Sequence, residues 1–126
     1  MKYLIAATEP NLEARVHKRF GHADYYLVVD ADTLEFTWFE GLSQDQPHHD
    51  FLRFLDPQIG AVITGNIGPN AFQDIQQLSL KVYSCIGLTV KEAIEKVKGG
   101  KISSLSASTM KHSIHTARQS GREKPR

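Results

Sequence analysis

The sequence predicts one α/β domain, a mixed sheet with helices packed on its faces. Three observations lead there. Short apolar runs of strand length recur along the chain, and two of them, "YLIAAT" and "AVIT", lack polar alternation, as strands buried on both faces do. The second and third runs are separated only by a short turn, which suits an antiparallel hairpin. After that hairpin, helical and strand-like patterns alternate, as in βα units. The predicted order is β-β-β-α-β-α-β-α.

Each element has its own warrant. "YLIAAT" (Tyr3 to Thr8) is the first strand and "YYLVVD" (Tyr25 to Asp30) the second. "ADTL" is a turn, and "EFTWFEG" (Glu35 to Gly41) alternates like a half-buried strand. In "SQDQPHHDFLRFLDP", Phe51, Leu52, Phe54 and Leu55 suit a short helix that ends near Pro57. "AVIT" (Ala61 to Thr64) is the fourth strand. The next helix carries Phe72, Ile75 and Leu78 on one face and Pro69 in its first turn, where proline is tolerated. "KVYSC" (Lys81 to Cys85) is the fifth strand. In "TVKEAIEKVKGG", Thr89 and Glu92 form a capping-box pattern, Val90, Ala93, Ile94 and Val97 share a face, and Gly99 and Gly100 stop the helix. From Ser103 the periodicity ends. Residues 103–126 read as a flexible basic tail, and from Lys111 onward five Lys/Arg stand against one Glu.

Composition sets limits. The chain has 126 residues and is 40% hydrophobic, enough for one core, with residues 1–102 as the folded domain. A net charge of +1 does not mark a nucleic-acid binder. The single Cys85 forbids an intramolecular disulfide and cannot alone build a four-thiolate cage. The opening apolar run of about five residues is too short for a membrane span or secretory core, so the default location is cytoplasmic with no membrane partner.

Topology then gathers the chemistry. If the first strand runs upward, the segments 9–23, 42–49, 65–70 and 86–89 all lie at the top, the carboxyl end of the parallel strands. That edge is where open α/β sheets bind ligands, at a switch point between Thr8 and Gly65 if the fourth strand lies beside the first. "RFGHA" brings Arg19, Gly21 and His22 there. "PHHD" brings His48 and His49. "GNIGPN" brings Gly65, Asn66, Gly68 and Asn70, whose backbone N–H groups at a helix start suit an anion. Cys85 ends the fifth strand.

Two readings stand for each. The glycine loop is an anion cradle or a packing turn. Cys85 with His48 or His49 makes a soft-metal set, or Cys85 is a small core residue and the histidines are solvated. Adjacent helical histidines point about 100° apart, so one of the two is the ligand rather than both. His22 is a ligand or part of a turn. His112 and His115 share a helical spacing but fall in the tail.

The pieces "KYLIAAT", "RVHKRFGHADYYLVVD", "GAVITGNIGPNAFQDIQQLSLKVYSCIG" and "TVKEAIEKVKGG", in that order over residues 1–102, resemble the dinitrogenase iron–molybdenum cofactor biosynthesis family, the small NifX-type domains. The resemblance implies a ribonuclease H-like three-layer fold with strand order 3-2-1-4-5, the second strand antiparallel. It further implies a non-catalytic carrier that loosely binds an iron–sulfur or iron–molybdenum–sulfur cluster or its precursor. The implied partner is a donor or acceptor protein in metallocofactor assembly. Carried over by position are Arg19, Phe20, Gly21 and Ala23, then Gly65, Gly68 and Pro69. Where many relatives have His-Gly in the loop before the first helix, this chain has His48-His49-Asp50.

Other classes fit less well. Two-metal nuclease chemistry needs converging carboxylates, one of them in the first strand, and "KYLIAAT" has none. No G-x-S-x-G elbow supports acyl transfer. A small anion- or nucleotide-binding regulatory module using the Gly65–Asn70 loop is the alternative. A basic tail engaging an acidic partner is a third reading. The third strand, with Phe36, Trp38 and Phe39, is an edge on which two copies could pair.

Overall fold

The computed structural model describes residues 1–41 and 57–109. Five strands, β1 (Lys2–Ala7), β2 (Tyr25–Asp30), β3 (Phe36–Glu40), β4 (Ile59–Thr64) and β5 (Lys81–Ser84), form one sheet in the order β3-β2-β1-β4-β5. β2 is antiparallel to β1 and to β3, while β4 is parallel to β1 and β5 parallel to β4. The mixed sheet and its order match the expectation. Two helices, α1 (Pro69–Gln77) and α2 (Val90–Lys98), follow β4 and β5. The helix expected around Phe51–Leu55 lies outside the described residues, as do His48 and His49.

Alternation along the strands sorts the core into two clusters. Tyr3, Ile5, Ala7, Leu27, Val29, Ala61 and Ile63 face α2, which buries Val90, Ala93, Ile94 and Val97 against them. Leu4, Ala6, Tyr26, Val28 and Val62 face the other way, toward Phe72 and Ile75 of α1. Burying each larger aliphatic or aromatic side chain stabilises the fold by roughly 1.5–3 kcal/mol, so the two seams hold the layers together. α2 has the capping box the sequence announced: the Glu92 N–H donates to Thr89 Oγ1 at 3.1 Å, and the Thr89 N–H donates to Glu92 Oε1 at 2.9 Å. Glu92 is thereby held below the usual carboxylate range, first by the Thr89 N–H. α1 has no side-chain cap; Gly68 is its N-cap and Pro69 its first residue.

The two sheet edges differ. Beyond β5, the chain after α2 returns along the open edge. Ile102 packs on the α2-side cluster and Leu105 on the α1-side cluster. The Leu105 N–H donates to the Val82 carbonyl at 2.7 Å. Thr109 reaches the loop after β4, where its hydroxyl accepts from the Ile67 N–H at 2.8 Å. The segment read as a tail from Ser103 is thus tied to the core as far as Thr109. Leu105 has an apolar seat there and Thr109 a backbone donor, neither of which periodicity reveals. Residues 110–126, with His112 and His115, lie outside the described residues.

Candidate functional site

The long loop after β1 crosses the top of the sheet and is stitched to it. The Thr8 N–H donates to the Arg15 carbonyl at 3.0 Å, and the His17 N–H to the Ala6 carbonyl at 2.8 Å. Val16 ties down to the α2 side, its N–H donating to the Leu88 carbonyl at 2.9 Å. Beyond His17 the same loop turns to β4. Gly65 donates to the His17 carbonyl at 2.9 Å, Asn66 to the Lys18 carbonyl, and Phe20 back to the Asn66 carbonyl at 2.9 Å. The backbone of residues 16–20 therefore fills the crevice between the ends of β1 and β4. The switch point expected to open there is occupied by the protein itself.

This arrangement explains both motifs. In "RFGHA", Phe20 is 1% exposed and plugs the loop into the α1-side core. Its ring meets Tyr26 edge-on at 5.6 Å, and the Tyr26 hydroxyl donates to its carbonyl. Gly21 sits in a short 3-10 turn, Phe20–His22, and is exposed. In "GNIGPN", Gly65 is glycine because a Cβ there would lie 2.5 Å from the Lys18 carbonyl oxygen. The loop amides expected to be free divide in two. Those of Gly65, Asn66 and Ile67 are taken by His17, Lys18 and Thr109. Those of Gly68, Asn70 and Ala71 have no acceptor among the described residues, as an uncapped helix start requires. Asn70 is exposed, and a Cβ on Gly68 would meet nothing within 4 Å, so this corner is open.

The crossing loop, which meets Asn66 at Arg19, carries positive charge, with Arg15 turned to the α2 side. Arg15, Lys18 and Arg19 fall within "RVHKR", a run without a carboxylate. Arg15 is held by its Nη1 donating to the Gly87 carbonyl at 2.7 Å. Lys18 is exposed and Arg19 half-buried. The Arg19 N–H donates to His17 Nδ1 at 3.0 Å, and His17 Nε2 lies 3.9 Å from Asp24 Oδ2. Arg19 and Asn66, two of the residues singled out from sequence, are brought together as a parallel bridge.

Cys85 is not at this corner. It is 2% exposed and belongs to the α2-side cluster with Ala7, Ala14 and Val90, whereas Phe20 and Ile67 belong to the opposite one. Burial pushes its thiol up to about 11, so its apolar surroundings favour the protonated form. The side chain expected as a soft-metal ligand thus sits in the apolar α2-side core. Among the described residues, no three His, Cys, Asp or Glu side chains come together as a metal site.

Sequence reasoning passed over His17 and Lys18, although three fixed cations in five residues was a readable signal. It also passed over Thr64, at the top end of β4. Thr64 is fully buried, and its Oγ1 has no partner among the described residues. Nothing in the sequence marks that hydroxyl. No helix among the described residues is long and apolar enough to cross a membrane.

Comparison with known proteins agrees with this architecture. The apo form of the orange protein from Desulfovibrio gigas superposes with a TM-score of 0.77 at 30% identity, covering 86% of this chain and 96% of that one. A putative NifB protein from Thermotoga gives 0.70 at 24% identity, covering 88% and 98%. A putative dinitrogenase from Methanocaldococcus jannaschii gives 0.63 at 18% identity, covering 85% and 96%. The latter two likenesses are of fold. Among curated proteins no relative is similar enough to count as a match. The family model described as dinitrogenase iron–molybdenum cofactor matches residues 1–100, and with the sheet order and the two loop motifs in place the chain belongs to that family.

Proposed function

We propose that this domain is a carrier rather than a catalyst. Its cargo is an anionic iron–sulfur or iron–molybdenum–sulfur cluster, or a precursor of one. It receives the cluster from one protein of metallocofactor assembly and yields it to another. Family membership supports the class of cargo. The observation that carries the reading is the "RVHKR" segment, stitched by its backbone beside the uncapped start of α1. Lys18, Arg19 and the N–H groups of Gly68, Asn70 and Ala71 then offer a cationic, donor-rich corner to a polyanion.

The donor set favours one manner of holding. Cys85, buried in the α2-side core, is not presented to a cluster at this corner, whereas charge and hydrogen-bond donors for the cluster's sulfur atoms are. Such contacts are individually weak and break without ligand exchange, which suits cargo that must leave. His48 or His49, outside the described residues, keeps in this reading the part of supplying one further nitrogen.

The test is anaerobic reconstitution of the full chain with iron and sulfide, with and without molybdate. Visible absorption and metal per chain are followed for wild type, Cys85→Ala and the double variant Lys18→Ala/Arg19→Ala. The expected result is stoichiometric uptake that survives Cys85→Ala. In the double variant the affinity for the cluster falls about tenfold, the two charges together contributing about 1.4 kcal/mol. Loss in Cys85→Ala with retention in the charge variant would overturn the outer-sphere hold in favour of a thiolate-ligated cluster. No uptake by any form, together with tight binding of phosphate compounds, would instead support the small-anion module.

A further inference from the structure

The hydrogen-bond phase of β3 can be read from its two ends. The Asp30 N–H donates to the Glu35 carbonyl at 2.8 Å, and the Gly41 N–H donates to the Asp24 carbonyl at 2.7 Å. Both contacts fall on the β2–β3 register in which Tyr25 faces Glu40 and Leu27 faces Trp38. In an antiparallel ladder, pairs that exchange bonds alternate with pairs that do not. Residues 35, 37, 39 and 41 therefore point their peptide groups inward to β2. Phe36, Trp38 and Glu40 point theirs outward, where no described residue meets them.

Within β3 itself the usual protections are missing. β3 has no Lys, no Pro and no shift of register against β2, the devices that blunt exposed edges. The opposite edge, at β5, is closed by the Leu105–Val82 bond. At the middle of β3 stands Trp38, 47% exposed, with its ring edge-on to Tyr25 at 5.6 Å.

We infer that β3 pairs with β3 of a second copy of this chain, antiparallel about a two-fold axis at Trp38. Among two-fold registers, this one alone engages all three outward residues, setting Phe36 opposite Glu40 and Trp38 opposite Trp38. It places the two Glu40 carboxylates at opposite ends of the seam, whereas an axis at Glu40 would set them face to face. The aromatic order across the seam becomes Tyr25, Trp38, then the second copy's Trp38 and Tyr25, a run of the cross-strand kind that stabilises sheets. The five-residue edge covers less than the roughly 800 Å² per partner of a standard interface, so the dimer is a weak one in fast exchange. The cationic corner uses other residues, so this inference stands apart from the carrier reading.

The experiment is sedimentation equilibrium of the full chain across micromolar to millimolar concentration, for wild type and Trp38→Lys, with circular dichroism to verify folding. The expected result is a concentration-dependent doubling of mass that is lost in the variant. A second measurement does not depend on that variant: on a Cys85→Ala background, Trp38→Cys and Phe36→Cys are oxidised separately. Facing residues of a bonded pair have Cα atoms about 5.5 Å apart, within disulfide reach. The Trp38→Cys protein then self-links at least tenfold faster than the Phe36→Cys protein, whose new thiol faces residue 40 of the second copy. A wild type that stays monomeric, including one that captures only a foreign strand peptide on this edge, would overturn the inference. So would a dimer that persists in folded Trp38→Lys, or equal linking at the two positions.

Discussion

Replacing Gly65 by alanine tests whether the top of the sheet is held by close backbone approach. The new Cβ would lie 2.5 Å from the Lys18 carbonyl oxygen, 2.7 Å from that of His17 and 2.8 Å from the Lys18 carbonyl carbon. All three are backbone atoms, so no side chain can swing aside. Reaching even 3.0 Å requires the loop to retreat by about 0.5 Å. Three hydrogen bonds would stretch with it: Gly65 to His17, Asn66 to Lys18 and Phe20 to Asn66. Weakening them costs part of about 1 kcal/mol each, and overpacking adds about 1–3 kcal/mol. The expected loss is about 2–4 kcal/mol. At ~4 °C per kcal/mol for a domain of this size, that lowers Tm by roughly 8–16 °C. Thermal and urea unfolding measure it, and amide exchange at Asn66 and Phe20 localises it. Gly68→Ala is the control: its Cβ meets nothing within 4 Å and its φ is −79°, so the change stays within about 1 kcal/mol. A Gly65→Ala protein melting within about 2 °C of wild type, with Asn66 still protected, would refute the reasoning.

Three further outcomes follow from the geometry. Stability should fall as pH rises from about 9 to about 11, because the unfolded chain releases the Cys85 proton from near 9.0 while the buried thiol keeps it until about 11; urea midpoints across that range, flatter in Cys85→Ala, check this. Tyr26, pushed up to about 12 by burial, extends the fall from about pH 10 upward. Thr89→Ala breaks both halves of the capping box and should cost about 1 kcal/mol in urea unfolding, and Thr89→Asn should restore most of it. Thr64→Val removes a buried hydroxyl without a partner among the described residues, so it should stabilise by about 1 kcal/mol in the same assay; a destabilisation of that size would show that the hydroxyl has a partner.

Where the sequence was legible, the signal was local. The apolar run of β1, the hairpin β2–β3, the capping box at Thr89 and Pro69 at the start of α1 each depend on neighbours in the chain. The position of β4 beside β1 was an assumption made to place the switch point, and the family resemblance implied the same order. The site was less legible because its decisive contacts join distant residues. That Gly65 and Asn66 spend their amides on His17 and Lys18 has no trace in "GNIGPN" read alone. Cys85 looked available because a strand end is often open, yet packing by α2 on that side covers it. Leu105 and Thr109 were hidden for a similar reason: a strap running along a sheet edge has neither helical nor strand periodicity. In "RVHKR" only Arg19 was singled out, because the charges were not read together as one segment.

The stitching of the first long loop also bears on when this protein becomes competent during its own synthesis. Arg15 is held by Gly87, 72 residues further along the chain. The loop's other anchors include Gly65 and Leu88, and Thr109 closes on Ile67 from 42 residues away. Contacts of such separation form late, after the entropy of closing long loops has been overcome. On the ribosome, the basic segment emerges early and can meet only the end of β1 until β4 and the turn before α2 have followed. The cationic corner therefore forms only once β4 and the start of α1 have joined the basic segment. A nascent or truncated copy would present the same charges on an unfixed strand, and quality of folding becomes a gate on loading.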